Sequence, residues 1–180
     1  MTPEIKKILF ATDLSKNSQI AFDFSLSLAE KYEARIYLLH VMRKLSSASE
    51  RLLISALNEK KLKTIRSKHN QKARDVLIGK KQQVVDQPQL GISCKEESLE
   101  PESKLNKLQV IEIIAEGKNI TEVILKEADT HGCDLIVMGS HAQTGLEKLF
   151  ISDTIRYVLR KSEIPILVIP ISGKEYVPDP

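Results

Sequence analysis

Apolar and polar positions fall into blocks along the chain, and the blocks alternate between two periods. KKILFAT, residues 6–12, is a short apolar run with lysines before it and the polar DLSKNS after it, which predicts a buried strand entering a turn. From Ser15 the spacing changes, and Ile20, Ala21, Phe24 and Leu28 recur at helical intervals. ARIYLLHV (34–41) predicts a second strand and LQVIEIIA (108–115) a third. NITEVILKEADTHG (119–132) predicts a helix, with Asn119 as its N-cap, Glu122 three residues on and Gly132 at its end. DLIVMGS (134–140) is a fourth strand, DTIRYVLRKS (153–162) a helix and IPILVIPI (164–171) a fifth strand.

Strands that alternate with helices and are apolar on both faces predict a parallel α/β sheet covered on both sides. In such sheets a ligand crevice lies beyond the carboxyl ends of the strands, where the winding reverses. The turns to inspect are therefore Thr12–Asp13, Val41–Met42, Glu116–Gly117 and Gly139–Ser140.

The stretch between the second and third strands is less regular. Residues 48–83 carry apolar side chains at Leu53, Leu57, Leu62, Ile65, Ala73, Val76 and Leu77, which predicts one long, weakly amphipathic helix. Between Lys60 and Lys81 it holds nine Lys or Arg residues against Asp75 alone. Residues 86–104 turn polar and acidic, with Pro88, Gly91 and Pro101 as breakers, and predict a mobile loop. The chain thus reads as one domain over 1–172, enlarged by the 45–107 segment, with an exposed tail over 173–180.

Composition narrows the function classes. With 42% hydrophobic and 28% charged residues and no apolar run of membrane-spanning length, a soluble cytoplasmic protein is expected. Cys94 and Cys133 belong to no CxxC or Cys/His cluster and read as reduced thiols, so no metal site is expected. A net charge of +3 does not by itself imply nucleic acid. The basic 60–81 stretch fits an anionic partner or a solvated helix face. No Phe, Tyr or Trp occurs in 45–109 to stack on bases, which argues against nucleic acid. The absence of a Ser–His–Asp set, a paired-carboxylate site or a P-loop lysine motif argues against an enzyme.

The opening KKILFATDLSKNSQIAFDFSLSLAEKYEARIYLLHV and the closing ITEVILKEADTHGCDLIVMGSHAQTGLEKLFISDTIRYVLRKSEIPILVIP resemble the universal stress protein family in order and spacing. The resemblance implies a Rossmann-like, five-stranded parallel sheet of order 3-2-1-4-5. It also implies a homodimer in which strand 164–171 pairs with its twin. In nucleotide-binding members, the aspartate after the first strand and the backbone ending the second hold the adenosine. A G-x2-G-x9-G-[S/T] motif then carries ribose and phosphates.

By that resemblance Asp13, beside Thr12, and Val41 fall at the adenosine positions, and Gly139 is the first motif glycine. The remaining motif positions hold Ala142, Ser152 and Asp153, and Gly145 lies outside the motif. Glycines in phosphate loops allow positive φ and close backbone approach, so these replacements weaken the phosphate end. Asp153, at the start of a helix, is expected to cap that helix with its own carboxylate and exclude phosphate, unless Mg²⁺ bridges the two. The expected ligand is at most an adenine nucleotide held weakly, AMP or ADP rather than ATP, with Mg²⁺ only where ATP binds. The alternatives are a dimer that binds a protein partner through 45–104 and no nucleotide, or a signalling module that responds to ATP or AMP.

Three readings stay open at single residues. Asp13 either meets a ribose or adenine or bonds its own turn near Ser15. His40 is either an acid–base group or a satisfied core residue, and His141 either meets a phosphate or is an exposed loop residue.

Overall fold

The computed structural model describes residues 4–15, 18–86, 108–141 and 151–171. The expected mobile loop, apart from Asp86, and the expected tail lie outside them, as does Ala142. The described elements run β1 (Lys7–Ala11), α1 (Ser18–Tyr32), β2 (Arg35–Arg43), α2 (Ser47–Leu57) and α3 (Glu59–Asp86). They continue with β3 (Val110–Gly117), α4 (Ile120–Thr130), β4 (Leu135–His141), α5 (Asp153–Lys161) and β5 (Ile166–Ile171). All five strands pair in parallel in the order β3-β2-β1-β4-β5. This is the order that the family resemblance implied.

Strand side chains alternate between two cores. Ile8, Phe10, Ile36, Leu38, Leu135 and Val137 pack beneath α1 and α3, together with Ala21, Phe22 and Leu77. Leu9, Tyr37, Leu39, Val41, Ile136 and Met138 pack on the other face beneath α4 and α5, with Ile124, Ala128, Ile155 and Val158. Over the central strands β2, β1 and β4 both faces are thus dry, as their continuous apolar runs required. Among the described residues no helix is long and apolar enough to cross a membrane.

Two helical readings are corrected. The buried face of α1 is Ser18, Ala21, Phe22, Ser25 and Ala29, whereas Phe24 is 40% exposed. Small residues at Ala21, Ser25 and Ala29 let this helix lie close to the sheet, and that advantage outweighs the larger side chain of Phe24. The single helix expected over 48–83 is two helices broken at Asn58, whose φ of 69° is tolerated by asparagine better than by most residues. Ile65, expected in the buried stripe, is 52% exposed.

The end signals of α4 hold. Asn119 accepts from Thr121 N and donates to Glu122 Oε1, and Gly132 closes the helix at φ 59°. At the opposite edge of the sheet, Pro165 O accepts from Ile136 N. Odd-numbered β5 residues therefore face β4, and Ile166, Val168 and Pro170 turn their backbones outward. Proline suits such an edge position because it has no N–H to leave unpaired.

Candidate functional site

The winding reverses between β1 and β4, so the crevice opens where β2, β1 and β4 end side by side. Thr12 and Asp13 leave β1 there, Val41 lies near the end of β2, and Gly139 lies one residue beyond the last β1–β4 pair, Ala11 with Met138.

Short side-chain bonds hold the turn after β1. Thr12 is buried, takes Leu14 N on its hydroxyl at 3.0 Å and donates to Ser18 Oγ at 3.2 Å. Asp13 is exposed, and its Oδ1 accepts from Ser15 N at 2.9 Å. Asp13 therefore does make the bond to its own turn, a geometry that leaves its carboxylate at the crevice mouth. Leu14 sits at φ 63°, a left-handed conformation that costs a bulky side chain about 1 kcal/mol or more. The Thr12 bond and the packing of Leu14 on the core beneath α1 hold it there.

His40 reads as a core residue. It is buried, and its Nδ1 lies 2.9 Å from Thr12 O. A carbonyl only accepts, so Nδ1 carries the proton, and His40 braces the same turn. Thr12 N in turn donates to Leu39 O. Leu39 thus directs its carbonyl toward β1, and Val41, two residues on, turns its own amide and carbonyl to that side beyond the end of β1. This is backbone aimed at the crevice, while the Val41 side chain belongs to the core beneath α4.

Gly139 has a packing role. Its φ is not positive, and a methyl group there would collide with Ile171 Cδ1 and touch Ala21 Cβ at 3.4 Å. The missing side chain is the space that Ile171 fills between β4 and α1.

The expectation that Asp153 caps α5 is overturned. Ser152 is the N-cap of α5, with φ −60° and ψ 155°, and its hydroxyl accepts from Ile155 N at 3.3 Å. Asp153 is the first helical residue, its side chain is fully exposed, and among the described residues it pairs with Arg156 at 4.0 Å. A serine at the preceding position already has the extended backbone and short hydroxyl that a cap needs, so the carboxylate stays in water.

A basic residue that sequence reasoning missed also approaches the crevice. Lys80 of α3 is 7% exposed, donates to Gln19 Oε1 at 2.7 Å and lies 5.2 Å from the Phe22 ring centroid. Burial pushes the ammonium below its ordinary range, and the carboxylates of Asp23 and Asp13 oppose that shift. Burial likewise raises Asp23, against its bond from Gln19 and the charge of Lys80. The signal was available in the spacing: Ala73, Leu77 and Lys80 share one helical face, so the lysine had to be buried with its stem. Among the described residues no three His, Cys, Asp or Glu side chains gather as metal ligands.

A parallel sheet in this order, with its crevice at the β1–β4 reversal, defines a Rossmann-like α/β fold. The universal stress protein family model matches residues 4–170, and the chain belongs to that family. Universal stress protein MJ0577 of Methanocaldococcus jannaschii is 27% identical over 177 residues, covering 94% of this chain and 97% of its own. The solved structure of MJ0577 matches with a TM-score of 0.62 at 24% identity, over 94% of this chain and 99% of that one. A universal stress protein family protein of Arabidopsis thaliana, solved with AMP bound, matches with a TM-score of 0.58 at 15% identity over 97% of both chains. A universal stress protein in complex with cAMP matches with a TM-score of 0.57 at 14% identity, over 94% of this chain and 99% of that one.

Proposed function

We propose that this chain is a regulatory or adaptor domain, homodimeric through the β5 edge, whose crevice takes an adenine nucleotide with a short phosphate chain. The observation that carries this reading is the convergence of the braced Thr12–Asp13 turn, the Val41 backbone and the Gly139 strand end at one sheet reversal. A carboxylate and a strand backbone are the groups needed to bond a ribose and an adenine edge. Relatives of the same fold hold AMP and cAMP, which supports the ligand class.

The preference for AMP over ATP rests on α5. The Ser152 hydroxyl already takes the Ile155 N–H, one of the amides that would attract a phosphate oxygen. Asp153 adds a negative charge to the same first turn. Because that carboxylate is fully exposed, salt screens its effect, and Ser152 is the stronger obstacle. Mg²⁺ enters only with ATP, and the proposed role includes no catalytic step.

Calorimetry with AMP, ADP and ATP, with and without Mg²⁺, tests the reading. AMP is expected to bind most tightly. Ser152→Gly should raise ATP affinity, and Asp153→Ser should raise it less and only at low salt. ATP binding tighter than AMP binding and unaffected by Mg²⁺ would refute the preference. A purely protein-binding dimer is the second reading, favoured by the exposed α2–α3 hairpin described next.

A further inference from the structure

Helix α3 is much longer than the sheet it covers. Its 28 residues span about 42 Å at 1.5 Å per residue, whereas the eight residues of β3 span about 26 Å. Burial follows that mismatch. Ala73, Leu77 and Lys80 are buried, whereas over 59–72 the only buried side chain among those described is Leu62. The first half of α3 therefore overhangs the carboxyl end of the sheet, the end that carries the crevice. Helix α2 folds back on it through the Asn58 elbow, and Arg66 and Glu50 tie the pair at 2.9 Å. No residue of α2 is buried, and Leu52 is 72% exposed.

The outer face of this hairpin has a definite chemistry. Lys61, Ile65, Lys68 and Lys72, spaced by four, three and four residues, form one exposed stripe. The acids of α3 that are described are already engaged, Glu59 by Lys63 at 2.7 Å and Asp75 by Gln71 at 2.9 Å. Among the described residues, Lys61, Lys68 and Lys72 enter no ion pair. Helix α3 holds nine Lys or Arg residues against three acids in a chain of net charge +3, so the rest of the chain is net acidic. The positive charge is segregated onto this hairpin. Beside Lys61, at the elbow, an open depression of about 630 Å³ is lined by Ile54 and Leu57.

We infer that the outer face of the α2–α3 hairpin is a docking surface for an acidic helical segment of a partner protein. The segment would carry carboxylates at the same four–three–four spacing and an apolar side chain opposite Ile65. A lipid surface fits less well. Membrane-surface helices bury an apolar face opposite their charges, whereas Leu62, Ala73 and Leu77 of α3 are already buried and Ile65 stands alone among lysines on the exposed stripe. Nucleic acid fits less well because the hairpin offers aliphatic side chains and no aromatic ones. The docking surface belongs to the adaptor part of the proposed function, and nucleotide binding at Asp13 can fail without it.

A fluorescein-labelled acidic peptide of about five helical turns, with glutamates at that spacing around a central leucine, is titrated against the full chain by anisotropy. Saturable binding is expected that weakens with salt. It should fall at least about tenfold in the Lys61→Glu/Lys68→Glu/Lys72→Glu variant, which keeps its helical circular dichroism because these side chains are exposed. The reversed variant should in turn bind the lysine version of the peptide, and Ile65→Ser should weaken the acidic peptide at unchanged charge. Equal binding of a scrambled peptide of the same composition would overturn the inference. So would failure of the charge swap, or capture of oligo-dT or phosphatidylserine vesicles in place of the peptide.

Discussion

Replacing Gly139 by alanine separates a packing role from a ligand role at the first position of the nucleotide motif. The backbone there is ordinary strand, so alanine brings no conformational penalty. The added methyl group would overlap Ile171 Cδ1 and press on Ile171 Cγ1 and Ala21 Cβ, each at 3.4 Å. Ile171 is 2% exposed, so its terminal methyl has little room to turn away. Overpacking of this kind costs about 1–3 kcal/mol. Ile171→Val alone removes that same methyl and leaves a small void, at a cost of about 0.5–1.5 kcal/mol. Together the two changes move one methyl group across the contact at nearly constant volume, and the pair should cost less than about 1.5 kcal/mol.

Urea unfolding of the four proteins, followed by circular dichroism at one protein concentration, closes the cycle. A favourable coupling of about 1 kcal/mol or more is expected. Losses that add within about 0.5 kcal/mol would show that Ile171 does not fill the glycine's space, and the packing argument would fail. AMP titration of the double variant supplies the second half of the test. Unchanged affinity is expected where the glycine serves packing, and a parallel loss in both alanine variants would return it to the ligand.

Val168→Pro removes an outward-facing N–H at the β5 edge and no bond to β4, so sedimentation should show monomer with native circular dichroism; an unchanged dimer would place the interface elsewhere. Lys80→Met keeps the stem over Phe22 but removes a charge that lowers Asp23, so the Asp23 carboxyl should titrate at still higher pH by carbon NMR. A downward shift would contradict that coupling. Burial pushes the Cys133 thiol from 9.0 up to about 11, which makes its thiolate about a hundredfold scarcer than an ordinary one near pH 8. Native Cys133 should react with an aromatic disulfide far more slowly than after unfolding. With the folded value above the unfolded one, its contribution to stability is complete below pH 9 and is lost as pH rises toward 11.

The sheet was legible because its central strands are buried on both faces, and an uninterrupted apolar run such as DLIVMGS has few other readings in a globular chain. The caps of α4 were legible for a similar local reason, since Asn119 and Glu122 act within its first turn and Gly132 directly after its last. The misses arose where a tertiary contact outweighed the local pattern. Phe24 gave way to the small residues of α1 because the helix sits close to Gly139 and Ile171. Asp153 lost the cap to its neighbour Ser152, a competition between two good capping residues that only the backbone angles decide. Lys80 escaped notice because a basic run reads as solvated, although its helical phase places it with Ala73 and Leu77.

The most direct test of the proposed crevice is an amide NMR titration of the isotope-labelled chain with AMP. The account predicts saturable shifts concentrated at Thr12, Asp13, Val41 and Gly139, with little change along the outer face of α3. Saturation without movement at those four amides, or no saturable shift at any concentration of AMP, would contradict it.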